Sequence, residues 1–295
     1  MPSKTAPRRH HYIPRMILRN FTNEKGGLHF WRRTFPVGNV RVTTPENLFL
    51  KADLYTIVGD EGERDVSLEH GFSKLESAGA AFLRQLLGIV RAGKTPRMAD
   101  EAWEFLHHFR YYSDKRSAAW HSRFLSEQEF DAVLTEVASQ EHWTDADRAW
   151  MHDPADIDRI KQNSRIAAQA SGPPEELLVE MRRRGLAIYI APRNAAFLLG
   201  DHPTAMAKVG PAAENAPGGK ISFMPIASDV AIGYCAQAKI IHLEQLTRPQ
   251  LRTMNEAMAR QSMMIAGRSQ ALVASLSRVN YETPEYFTTS EYLPG

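Results

Sequence analysis

Apolar positions along this 295-residue chain change period several times, and the changes divide it into strands, helices, strands and helices. Residues 28–34, 40–43 and 53–58 are short apolar or alternating runs bounded by Gly, Asn and Asp, which reads as strands. From Leu68 the period becomes 3.6. Phe72, Leu75, Phe82, Leu83 and Leu86 share one face with Gly79 inside the stripe. At about 100° per residue Glu76 lies on the edge of that stripe and Glu69 about 20° further round. A second helix is predicted from Met98 through Trp103, Leu106 and Arg110 toward Trp120. Further helices fit 126–140, 145–152, 155–169 and, after the Ser171-Gly172-Pro173-Pro174 break, 175–184. Beyond Gly185, runs at 186–190, 196–199, 221–224, 230–234 and 239–243 suit strands, and 249–278 is read as helical. Gly and Pro break any regular element over 210–219, which predicts a mobile, protease-sensitive loop.

This order predicts an α+β fold rather than a regular βαβ alternation. A lone hairpin near 28–43 cannot bury enough apolar area to be stable. The N-terminal and C-terminal strands are therefore expected to form a common sheet region, with the helical middle packed around it. Residues 1–9 read as a disordered basic tail, and 10–295 as a single domain with sub-regions 10–58, 66–184 and 186–295.

Composition narrows the function classes. Hydrophobic residues make up 43% and charged residues 24%, which excludes wholesale disorder. A net charge of +2 is too mild to announce nucleic-acid binding by itself. Cys235 is the sole cysteine, so no disulfide framework or Cys-type zinc site is available, which suits a reducing cytoplasm. Neither a secretory h-region nor an apolar run of roughly 20 residues is present, so no membrane association is expected.

The candidate chemistry gathers at His10-His11-Tyr12-Ile13-Pro14 and the helix after it. Pro14 suits the first helical position. Ile17, Leu18 and Phe21 then share one face, and Arg15 and Arg19 another. Imidazoles and carboxylates are the usual ligands of divalent metals, so His10, His11, Glu76 and Asp201 are the candidate metal set, with no HExxH spacing to fix it. Arg19 is a candidate partner for Glu76. In the competing reading the histidines fix the start of the helix and Asp201 caps a turn before Pro203.

Other motifs read as structural. Arg182-Arg183-Arg184 suits a helix C-terminus. His107 and His108 point about 100° apart on a helix, so a shared metal is not expected. Gly93-Lys94-Thr95 lacks the upstream glycine and strand of a P-loop. Ser113, Ser222 and Ser228 lack a nucleophile-elbow context.

His10-His11-Tyr12-Ile13-Pro14 followed by Leu18-Arg19-Asn20-Phe21 resembles the opening signature of the bacterial family catalogued as domain of unknown function 4238. Tyr55-Thr56, a helix bearing Glu76, the Gly200-Asp201-His202-Pro203 turn, Met224-Pro225 and a helix with Asn255 resemble its later features. Gly200 and His202 depart from the serine and asparagine of that family's turn. The resemblance implies no activity. The residues themselves support a divalent-metal-dependent hydrolase of nucleic acid or another phosphoester. There His10, His11, Glu76 and Asp201 would hold the metal, and Glu76, Asp201 and Arg19 would serve catalysis. The alternative is a non-catalytic protein- or nucleic-acid-binding module in which the same residues form a structural network.

Overall fold

The computed structural model describes residues 9–59, 61–117, 120, 127–139, 144–145, 153–210 and 219–282. The expected tail over 1–8, nearly all of the 145–152 helix and the interior of the 210–219 loop lie outside them. Arg9 is not part of a tail. It opens strand β1 (Arg9–His11), which pairs antiparallel with β4 (Leu50–Ala52).

Mixed α+β architecture follows from two sheets. The first, with strand order β12-β7-β11-β10-β9, comprises β7 (Gly185–Ile190), β9 (Ala205–Ala207), β10 (Ile221–Ala227), β11 (Val230–Cys235) and β12 (Ile241–Gln245). β7 is apolar throughout because it lies in the sheet interior, between antiparallel β11 and parallel β12. Pro225 is tolerated in β10 because β9 pairs only with Ile221–Phe223, and the ladder to β11 shifts register between Pro225 and Ala227.

The second sheet joins the two ends of the chain. β2 (Leu28–Arg32) pairs with β3 (Arg41–Thr43) on one side and with β13 (Met264–Gly267) on the other, and β8 (Leu199–Gly200) completes the order β3-β2-β13-β8. β13 lies inside the 249–278 span read as helical. The chain there is α7 (Arg248–Arg260), then β13, then α8 (Gln270–Leu276). The predicted strand over 53–58 is also displaced: Asp53 adopts φ 52° and turns the chain, leaving β4 before it and only β5 (Ile57–Val58) after it. β5 pairs with β6 (Arg64–Asp65).

Between the sheets' contributions run α2 (Ser67–Arg91), α3 (Asp100–Lys115), α4 (Glu127–Ala138), α5 (Pro154–Ala170) and α6 (Glu175–Arg182). On α3, His107 is buried and its Nδ1 lies 3.0 Å from Tyr234 Oη, while His108 Nδ1 lies 2.9 Å from Glu104 O. The two rings therefore serve different partners. No helix among the described residues is long and apolar enough to cross a membrane.

The opening helix, α1 (Arg15–Arg19), is a single turn, and Pro14 is its N-cap rather than its first residue. Its signature residues tie the N-terminus to the far sheet. Leu18 and Phe21 are fully buried, Asn20 Nδ2 donates to Ile226 O (3.0 Å), and Ser228 N–H donates to Asn20 O (3.1 Å). Asn255 on α7 does the same for the segment before β8. It accepts from Leu198 N–H and donates to Ala196 O, both at 2.9 Å, so this buried stretch satisfies its backbone without a full strand ladder.

Candidate functional site

Strand β1 alternates its side chains, so the paired histidines face different surroundings. His10 is fully buried. Its ring stacks on Tyr55 (5.3 Å between centroids, 5° between planes), and its Nδ1 accepts the Tyr55 backbone N–H at 3.0 Å. A backbone N–H can only donate, so in neutral His10 the proton sits on Nε2. His11 is half-buried, with Nε2 3.1 Å from Pro45 O, an acceptor, so that nitrogen carries the proton in His11. Burial lowers the His11 pKa, Pro45 opposes the shift, and Arg15 adds to it.

Two carboxylates approach from α2. Glu69 and Glu76 are seven residues apart, two turns of helix, and therefore share a face. Arg116, the C-cap residue of α3, reaches in beside them. Its Nη2 donates to Glu76 Oε1 (2.6 Å) and to His11 O (2.9 Å), and its guanidinium lies over the Phe72 ring, 4.5 Å from the centroid. Tyr55 Oη in turn donates to Arg116 O at 2.9 Å. Burial alone would lower the Arg116 pKa, but Tyr55 and Glu76 outweigh it and the net shift is upward. Burial raises the Glu69 carboxyl, with His10 and Arg116 pulling the other way. Among the described residues, Glu69 Oε2 and Arg116 Nε are buried with no hydrogen-bond partner.

Two of the five predicted site residues thus bond one guanidinium, Glu76 through its carboxylate and His11 through its carbonyl, and His10 joins them only through Tyr55, on whose ring it stacks. Arg19 does not join them. Its side chain is 61% exposed and faces Glu46 at 3.8 Å, a carboxylate already taken by Arg15 at 2.7 Å, so Arg19 does not pair with Glu76. Arg116 occupies the role expected of it. Gly79 permits close approach of neighbouring side chains: an added Cβ would lie 2.6 Å from Met16 Cε and 3.0 Å from Phe109.

Asp201 sits elsewhere, just past the end of β8. Its Oδ1 accepts Met263 N–H (3.1 Å) and its own N–H donates to Met264 O (3.0 Å), which ties the turn to β13. Burial pushes its carboxyl up to about 6, against the opposing pull of Met263 N–H. A carboxyl raised above its unfolded value holds its proton longer in the folded state, so it costs stability as pH rises from about 4 through about 6. Asp201→Asn keeps an acceptor for Met263 and removes the charge. Urea titrations should find it more stable than wild type by about 2–3 kcal/mol at pH 7.5, with the difference fading toward pH 3. Two stability curves that stay parallel across this range would contradict the assignment.

Neighbouring Gly200 also has a structural reason. A Cβ there would collide with Ser262 Oγ and lie 2.7 Å from Met258 Sδ, and Ser262 is itself buried and bonded to Met258 O at 2.7 Å. Installing the serine of the resembled turn, Gly200→Ser, is expected to cost about 1–3 kcal/mol by overpacking. A thermal melt unchanged from wild type would show that the pocket relaxes freely.

The expected metal set does not fit a metal as arranged. His10 has spent its free lone pair on Tyr55, and Glu76 is held by Arg116. Asp201 belongs to a different turn. Among the described residues no group of three or more His, Cys, Asp or Glu side chains could hold an ion. Sequence reasoning missed Arg116 because it read the helix on toward Trp120, which left Arg116 as one cation within the helix rather than the residue that ends it. Tyr55 carried only the weak signal of the Tyr-Thr pair.

A family model described as "Protein of unknown function (DUF4238)" matches residues 9–271, and the chain belongs to that family. No curated protein and no solved structure matches it.

Proposed function

We propose that this member of the family is a non-catalytic binding module in which His10, His11, Glu76 and Arg116 form a structural network. One observation carries the reading: Arg116, only 2% exposed, bridges Glu76 and the His11 carbonyl while the buried His10 ring is held by the Tyr55 backbone. A hydrolytic centre needs an open ligand position or a base that reaches water. His10 offers neither a free lone pair nor a surface, and Glu76 is engaged by a buried cation. The lone cysteine, Cys235, is buried with its thiol pKa raised by that burial, which suits work in the cytoplasm.

The discriminating assay follows bis(p-nitrophenyl) phosphate with Mg2+, Mn2+ or Zn2+. Wild type and Glu76→Gln are expected to be indistinguishable from buffer. Turnover by wild type that Glu76→Gln abolishes while remaining folded by circular dichroism would restore the hydrolase reading.

A further inference from the structure

A cleft of about 880 Å³ opens where the parallel strands β7 and β12 end, between the turn after β7, the start of α7 and the start of α8. Carboxyl ends of parallel strands are where open sheets offer crevices to ligands. Four arginines from three segments line it: Arg193, Arg248, Arg252 and Arg268, all exposed. The single carboxylate in the lining among the described residues, Asp229, is already held by Arg91 from α2 through two hydrogen bonds of 2.7 and 2.8 Å. Arg252 is held by Glu256 (2.6 Å), and Arg248 donates to Arg193 O (3.2 Å). Among the described residues no hydrogen bond or ion pair engages the guanidinium of Arg193 or Arg268.

We infer that this cleft binds a small molecule bearing phosphate groups, with Arg193 and Arg268 as its principal phosphate contacts. Guanidinium forks match phosphate oxygens bidentately, and although Glu256 holds Arg252 and Asp229 attracts Arg268 as well as Arg91, the cations still outnumber the two carboxylates, so the cleft favours an anion. The start of α7 adds the positive end of a 13-residue helix. It adds field more than donors, because in the first turn Pro249 has no N–H and the Gln250 N–H is taken by Thr247 Oγ1. The floor is apolar, from Ile190, Leu251 and Leu272, and the volume lies within the range of small-ligand sites. Among the described residues no aromatic side chain lines the cleft, and their lining offers no stacking platform of the kind that holds single-stranded nucleic acid. The site shares no residue with the His10–Arg116 network, so it goes beyond the binding-module reading and its test stands or fails separately.

The test is calorimetric titration of the full chain with inorganic pyrophosphate, the ionic strength held constant with NaCl. Wild type is expected to bind, and Arg193→Gln with Arg268→Gln to weaken the Kd at least tenfold. Arg84→Gln with Arg97→Gln, an equal loss of exposed charge elsewhere, should leave it unchanged. Should the first pair prove poorly folded by its melt, single Arg193→Glu and Arg268→Glu variants must each weaken binding. Equal affinity in the variants, or no heat beyond that of sulfate at matched ionic strength, overturns the site. A ten-nucleotide single strand that binds more tightly than pyrophosphate through the same two arginines overturns the small-ligand assignment in favour of nucleic acid.

Discussion

Residues 1–170 and 171–295, expressed separately, are expected to show no cooperative unfolding, and co-expression should restore a single transition. The reason lies in the sheet that both halves build. β2 contributes Leu28–Arg32 and β13 contributes Met264–Gly267 to one antiparallel ladder, in which Trp31 stands opposite Ile265 and Phe30 opposite Ala266. Separation leaves β2 and β3 as an isolated hairpin, which is marginal at best in water. It also strips the cover from fully buried Leu18, Phe21 and Leu28, each worth about 1.5–3 kcal/mol of burial. The Asn20 link to Ile226 and Ser228 is lost with it. One cluster of buried residues runs from Tyr12 to Leu276, so no cut at the Ser171–Pro174 break spares the core. Two monomeric fragments that each melt cooperatively would contradict this.

Arg116→Ala is expected to be the most damaging single substitution in the polar network, costing about 3–5 kcal/mol. The change removes a buried cation from Glu76, leaves the His11 carbonyl without its donor, and opens space against Phe72 and Tyr55. In a protein of this size that is a fall of about 10 °C in Tm by calorimetry or fluorescence. Glu76→Ala removes fewer contacts, because Arg116 keeps the His11 carbonyl and the Phe72 ring, and it is expected to cost somewhat less even though it strands a buried cation. A variant lacking Arg116 that melts like wild type would remove the physical basis of the network.

Long periodic segments were legible from sequence, and pairings between distant residues were not. The stripe from Leu68 to Leu86 specified α2, and the apolar run after Gly185 specified β7. β13 was hidden because Met264-Ile265-Ala266-Gly267 is apolar at every position, which suits a buried helix turn as well as a central strand. The strand expected at 53–58 was misplaced because Asp53 adopts a left-handed φ, which local pattern does not announce. The polar site shows the same limit. His10, His11 and Glu76 stood out as polar groups without local partners, but their partners are Tyr55, Pro45 and Arg116, each at least 34 residues away in the chain. Arg19 was a reasonable candidate by chemistry. The orientation of α1, set by burial of Ile17 and Leu18, turned it outward.

The most direct test of the structural role is a double-mutant cycle on Arg116→Met and Glu76→Met, followed by urea unfolding. Removing one member of a buried pair strands the other, whereas removing both replaces the pair with apolar contact. The account predicts that the double variant is no less stable than Arg116→Met alone, with a coupling of at least about 2 kcal/mol. Additive losses, with no coupling between the two positions, would contradict it.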